Sequence, residues 1–274
     1  MGIDPVVDDR TRAWIGRNAG PLSTARRLQG ATSADIVALE AGGRRLVLKR
    51  YLQRECLERE PHLAAREATV LELLDDTNVR APELVAVDAD GSDTGAPSVL
   101  MTRLQGRHRW DPPSVERLAE VSVVIHEVEA PAGFRQYRRY VRPGAQPPPW
   151  SSRPSLWERA IAVADAAVPD EVGFIHRDHH AGNVLWWRGR VSGVVDWVEA
   201  CVGPRAVDSA RVRLNLIGSA GAGAVRQYEQ CPDIVIDPVW DIVDAVDGLW
   251  GTGPNPADRS LVEEFVVQAL AELG

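Results

Sequence analysis

Residues 23–51, STARRLQGATSADIVALEAGGRRLVLKRY, alternate apolar and polar side chains in short runs broken at Gly30 and at Gly42-Gly43. Alternation with a period of two places successive side chains on opposite faces of a strand, and the Gly-Gly pair supplies the positive φ of a tight turn. The stretch therefore predicts consecutive antiparallel hairpins, which no all-helical architecture accommodates. From about residue 57 to 75 the period becomes helical, with Leu63, Val70, Leu71 and Leu74 on one stripe. Pro82 ends that region, and two further strands follow in LVAVDA and PSVLMTRL.

After Gly106 the pattern changes. Residues 112–129 read as a helix, RPGAQPPPWSSRP is a proline-rich connection, and helical segments fill most of the chain from residue 154 on. VLWWRGRVSGVVDW reads as a hairpin among them. At 274 residues the chain is near the upper limit for one hydrophobic core. These observations predict two regions, 1–104 and 105–274, joined near Thr102–Gly106.

Hydrophobic residues at 45% and charged residues at 26% fit a soluble globular protein, and a net charge of −8 argues against nucleic acid or an anionic membrane as partner. The same charge is compatible with a cationic small molecule. No apolar run reaches the about 18–20 residues that cross a bilayer, and the acidic N-terminus is unlike a signal peptide. Cys56, Cys201 and Cys231 are scattered, as expected of reduced thiols in a cytoplasmic protein. A monomer or a homodimer is expected.

Three features in the first region carry chemistry. Lys49 ends the strand RLVLK; alone, such a lysine fits either a sheet rim with its ammonium in solvent or a buried cation. Glu67 lies within the apolar stripe of the helix, four residues from Leu63 and Leu71, where a carboxylate is costly unless a cation meets it. Lys49, on the strand just before, is the natural partner; the alternative is a glutamate reaching solvent from the stripe's edge. Gly30, with Ser33 close behind, falls at the first turn, where small residues let backbone N–H groups approach a polyphosphate.

In the second region, FIHRDHHAGNVLWW (residues 174–187) gathers His176, Asp178, His179 and His180, then Asn183. Asp196 follows thirteen residues after Asn183, at the end of VSGVVD. An amide oxygen and a carboxylate from neighbouring segments are hard ligands suited to Mg²⁺. Asp178 is then placed to accept a proton from an attacking hydroxyl.

His-x-Asp-x-x-x-x-Asn, then Asp after a short hairpin, with an upstream strand lysine and helix glutamate, resembles the protein-kinase-like phosphotransferases. FIHRDHHAGNVL followed by VSGVVDWVEACVGPRAVDSA is most similar to their aminoglycoside phosphotransferase (APH) branch, with its Gly-x-x-x-x-Asp at Gly203 to Asp208. REATVLELLDD, VLMTRLQG and LAEVSVVIHEVEAP resemble that branch's lysine-pairing helix, hinge and first C-lobe helix, so the likeness spans nearly the whole chain.

The resemblance implies an α+β, bilobal protein-kinase-like fold: an N-terminal antiparallel sheet with one pairing helix, and a larger, mainly helical C-lobe. It implies transfer of the γ-phosphoryl of Mg-ATP to a hydroxyl of a small molecule, an aminoglycoside-type antibiotic or another cationic metabolite among the candidates. Lys49 would hold phosphates with Glu67 fixing its ammonium. Asn183 and Asp196 would hold Mg²⁺, and Asp178 would be the catalytic base. Met101, Thr102 and Leu104 would line the adenine site, and Asp208 would brace the catalytic loop.

Arg177 departs from the branch's usual glycine, giving the His-Arg-Asp of eukaryotic protein kinases; Asp196 and Gly203 are too close for a phosphorylated activation loop. His176 is expected to brace the loop, and His179 and His180 either face the cleft or solvate the turn. On the helix from about Pro238 to Trp250, Asp237, Asp241, Asp244 and Asp247 oppose an apolar face. They form either a solvated face or an acidic acceptor surface, with Glu199 a further acceptor candidate. Two alternatives stand beside this reading: a metal-dependent hydrolase built on His176–His180, and a kinase-fold nucleotide-binding protein without transferase activity.

Overall fold

A computed structural model describes residues 6–28, 34–141, 143–249 and 254–274. Gly30 and Ser33, the phosphate-turn candidates, lie outside the described residues. The chain divides into two compact units, Met1–Gly106 with Ser192–Val198, and Arg107–Val191 with Glu199–Gly274. The segment carrying Asp196 thus groups with the first unit although it lies far along the chain.

In the first unit Asp8 caps α1 (Asp9–Ala19) by accepting the Thr11 N–H at 2.8 Å. Then come β1 (Leu22–Leu28), β2 (Asp35–Ala41) and β3 (Arg44–Arg50). The β2–β3 turn uses Gly42 and Gly43 at φ 54° and 77°, as their pairing in the sequence predicts. A Cβ on Gly42 would also lie 2.1 Å from the Ala19 carbonyl oxygen, so this position excludes a side chain twice over.

The single helix expected over 57–75 is two: α2 (Arg54–Arg59) and α3 (Leu63–Leu74). Pro61 stands in the break, where its missing N–H and its ring interrupt the helical ladder. β4 (Leu84–Asp88) and β5 (Ser98–Thr102) complete an antiparallel sheet of order β1-β2-β3-β5-β4. Val37, Leu39, Leu46, Leu48 and Leu100 form its apolar face, packed with Trp14 and Ile15 of α1.

The second unit is mainly helical. β6 (Arg107–His108) precedes α4 (Val115–His126) and α5 (Pro154–Ala166), whose N1 position is taken by Pro154. β7 (Val172–Ile175), β8 (Val184–Trp187), β9 (Arg190–Val194) and β10 (Cys201–Pro204) follow. Within β9 the chain passes from the second unit to the first. α6 (Ala206–Ser219), α7 (Ala222–Glu229), α8 (Pro238–Asp247) and α9 (Arg259–Leu273) end the fold.

β7 pairs antiparallel with β10, a ladder that the sequence analysis does not anticipate. Both strands have four residues and β10 ends in Gly-Pro, a pattern indistinguishable from a turn. The pairing brings Ile175 opposite Cys201 and so launches the loop that begins at His176. Trp157, Trp240, Ile242, Val243, Val246 and Val266 centre the larger core, and α4, α6 and α7 enclose a second one around Leu118, Leu216 and Tyr228. Among the described residues no helix is long and apolar enough to cross a membrane.

Candidate active site

In the first unit, β3 delivers Lys49 to the interior, 5% exposed. Its ammonium lies 2.9 Å from Glu67 Oε1 and 2.7 Å from Asp196 Oδ1. Burial alone would lower the lysine's pKa, but Glu67 first and Asp196 second hold it well above the ordinary value, so the cation persists. Glu67 is likewise buried, and its other oxygen, Oε2, accepts the Tyr51 hydroxyl at 2.6 Å. A carboxylate inside an apolar stripe is thus matched on both oxygens. Burial and then the Glu67 charge push the Tyr51 phenol upward, keeping it a donor.

Tyr51 is absent from the sequence-derived set, although a signal was available: it stands two residues after Lys49, the spacing that returns a side chain to the same face of an extended chain. Asp196 lies two residues beyond β9 at φ 69°, a left-handed backbone uncommon outside glycine. Met101 is buried within β5, paired with Val47 and Leu84. The Thr102 N–H donates to Glu83 O at 2.9 Å and the Arg103 N–H to Arg45 O at 3.0 Å. Among the described residues, no hydrogen bond takes up the Leu104 N–H. Leu104 also abuts Gly193, where a Cβ would lie 2.3 Å from its Cδ1.

In the second unit, Asp208 organises the loop that begins at His176 from the first turn of α6. Its carboxylate accepts the backbone N–H groups of His176 at 2.9 Å and Arg177 at 2.8 Å, with His126 Nε2 at 3.2 Å. Burial raises its pKa, but the His126 hydrogen bond and neighbouring histidines win, leaving it at about 2. Arg177 sits at φ 74° with its side chain buried. Its guanidinium stacks over Tyr137 and Tyr140 at 4.5 and 4.2 Å and pairs with Asp247 Oδ2 at 2.7 Å. It is a structural cation of the core.

Asp178 remains partly open to solvent, with Arg211 Nε 3.6 Å from Oδ1 and His180 Nε2 3.7 Å from Oδ2. Burial opposes its ionisation, yet His180 and Arg211 bring its pKa below the carboxylate range. Asn183 Nδ2 donates to the Asp178 carbonyl at 2.9 Å and faces Asp178 Oδ2 at 3.4 Å. Both partners are acceptors, so the amide nitrogen is turned to the loop and the amide oxygen away from it.

The three histidines separate. His176 Nδ1 accepts the Asp178 N–H at 3.3 Å, the bracing role expected of it. His179 neither faces a cleft nor solvates a turn: it is buried, with Nε2 3.0 Å from Ser122 Oγ, which also contacts Tyr228 Oη at 2.9 Å. Burial pushes its pKa down to about 3. His180 caps the turn, its Nδ1 accepting the Gly182 N–H at 3.1 Å, and stacks on Trp110 with centroids 4.8 Å apart. Among the described residues no three His, Cys, Asp or Glu side chains converge as metal ligands, and nothing in this loop favours the hydrolase alternative.

The acidic helix requires a correction. α8 presents neither a solvated face nor an open acceptor surface, because Asp241, Asp244 and Asp247 are buried. Asp241 pairs with Arg213, Asp244 with Arg211 Nη2 at 3.2 Å, and Asp247 with Arg177 and the Tyr140 and Val141 N–H groups. Asp237 caps the helix, accepting the Val239 N–H at 2.9 Å. The counter-ions come from α6 and from the loop that begins at His176, so no spacing within α8 could reveal them. Glu199 is half-buried and meets Arg135 Nη2 at 2.9 Å.

The chain is similar to known proteins at two levels. Residues 24–232 match the model of the APH phosphotransferase enzyme family. No curated protein matches the chain by sequence. Among solved structures, a thermostable mutant of aminoglycoside phosphotransferase APH(4)-Ia, in ternary complex with AMP-PNP and hygromycin B, aligns with TM-score 0.71 at 16% identity, covering 95% of this chain and 97% of that one. Spectinomycin phosphotransferase APH(9)-Ia, in complex with ADP and spectinomycin, aligns with TM-score 0.59 at 14% identity over 97% and 95%. Macrolide 2'-phosphotransferase MphH from Brachybacterium faecium aligns with TM-score 0.57 at 19% identity over 97% and 92%. At these identities the structures speak for the fold: an N-terminal five-stranded antiparallel sheet and a helical C-terminal part. With three quarters of its length matched by the family model, this chain belongs to the APH phosphotransferase enzyme family, of the small-molecule kinase kind.

Proposed function

We propose that this enzyme transfers the γ-phosphoryl group of Mg-ATP to a hydroxyl of a small molecule. The observation that carries the reading is the buried Lys49 ammonium held by Glu67 and Asp196, a fixed cation of the kind that grips phosphate oxygens. Asp178 receives the acceptor's proton. Held as a carboxylate by His180 and Arg211, it is a weak base that orients the hydroxyl and takes its proton as the new P–O bond forms.

Asn183 and Asp196 suit Mg²⁺ by donor type. Among the described residues, no hydrogen bond takes up the Asn183 amide oxygen or Asp196 Oδ2. Bound there, the ion would neutralise phosphate charge. Met101, Thr102 and Leu104 remain the assigned adenine contacts, with the Leu104 N–H as the donor, and Gly30 and Ser33 the phosphate contacts assigned from the sequence.

The test pairs binding with turnover. Mg-ATP should raise the Tm of both the wild type and Asp178→Asn, while ADP release with an acceptor should persist only in the wild type. Equal ADP release from both would overturn the role of Asp178. Stoichiometric zinc, with no nucleotide-induced shift in Tm, would favour the hydrolase instead.

A further inference from the structure

We infer that the acceptor is a ring-bearing alcohol carrying at most one positive charge, seated against the exposed Trp110 indole, and not a polycation; this rests on the phosphotransferase reading above. Recognition of a polycation needs uncommitted carboxylates. In the second unit every acidic group considered for that task is buried, ion-paired or engaged in capping a helix. Asp241 has Arg213, Asp244 has Arg211, Asp247 has Arg177 and two backbone N–H groups, Glu199 has Arg135, and Asp237 caps its helix. The side chains that pair with Asp178 there, His180 and Arg211, are both basic. A second ammonium brought to this carboxylate would meet a guanidinium and an imidazole already in place.

What the same neighbourhood offers is an aromatic face. Trp110 is 56% exposed, unlike the buried Trp157, Trp186 and Trp240 of the same unit. Its indole is nevertheless held in place, stacked on the His180 ring at 4.8 Å and 14°. Gly182 underlies both rings: a Cβ there would lie 2.9 Å from each. Trp110, His180 and Asp178 therefore stand in sequence, an apolar wall leading to the carboxylate that orients the hydroxyl. An exposed tryptophan made rigid next to a reactive group is suited to the C–H face of a sugar or lactone ring.

The experiment measures ADP release from wild-type enzyme with phenyl β-glucoside, a macrolide and hygromycin B, and repeats it for Trp110→Ala and Trp110→Phe. The expected result is that one of the first two probes exceeds hygromycin B in kcat/KM by about tenfold. Trp110→Ala should raise the KM of that probe roughly fivefold with kcat and the ATP KM unchanged, and Trp110→Phe should restore most of it. Preference for hygromycin B, no turnover of either ring-bearing probe, or a KM indifferent to Trp110→Ala would each overturn the inference. The Tm shift with Mg-ATP separates the two readings. Its absence breaks the phosphotransferase assignment, whereas its presence alongside hygromycin B preference breaks only the acceptor class.

Discussion

Around Lys49 one buried cation is shared by two carboxylates, Glu67 and Asp196; around Asp178 one carboxylate is shared by two basic groups, Arg211 and His180. The two clusters are opposites in sign and also in closure. Lys49 and Glu67 are nearly inaccessible and hydrogen-bonded at ordinary distances, while Asp178 is partly open and its basic neighbours stand 3.6–3.7 Å away. The first arrangement resists change, because removing either partner strands a charge in a low-dielectric interior. The second leaves a carboxylate with room to accept a new hydrogen bond. A fixed cation for the phosphates and a receptive base for the hydroxyl are the two demands of phosphoryl transfer.

This contrast can be broken by substitution. The largest effect is expected from Asp178→Asn, which should lower kcat by about 10²–10⁴ without changing Tm by more than a few degrees, measured by ADP release and thermal unfolding. Lys49→Met should lower stability as well as turnover. By leaving Glu67 buried and unpaired it should cost about 3–5 kcal/mol in denaturant unfolding, and adding Glu67→Leu should recover part of the loss. If Lys49→Met left stability unchanged, the pair would not be the buried element described here.

Arg177→Lys sharpens the comparison with a third ion pair. Lysine retains the charge opposite Asp247 but cannot lie flat between Tyr137 and Tyr140, so a destabilisation of about 1–2 kcal/mol is expected in urea unfolding. The smallest effect concerns His179, whose folded pKa of about 3 lies below the usual 6.5. The unfolded chain then binds the extra proton, so this histidine's contribution is present above pH 6.5 and is lost as pH falls toward 3. The slope is at most about 1.4 kcal/mol per pH unit. His179→Leu should flatten unfolding free energy against pH in that window; an unchanged slope would place the titration elsewhere.

Much of the site was legible because its members are spaced by local rules. Asp178 and Asn183 share one short loop, and Glu67 betrayed its partner by occupying an apolar stripe with Lys49 on the adjacent strand. The fold class followed in the same way, from a period of two giving way to a period near 3.6. Pro61 was visible too, but its helix break was hidden by the apolar stripe that continues on its far side.

The acidic face of α8 shows where such reading stops. A helical spacing of aspartates is the same whether water or arginine covers them, and only the packing of α6 decided for arginine. The same holds for His179 and His180, adjacent in the chain yet divided between the core and the Asp178 carboxylate. Backbone period, turn chemistry and the loop motif are local properties, so the sequence by itself determined the α+β class and the family, and it proposed the candidate residues. Which side chains neutralise one another is a matter of contacts between segments far apart in the chain. The tertiary structure alone decided that, because burial makes every charge answer to its nearest neighbour in space.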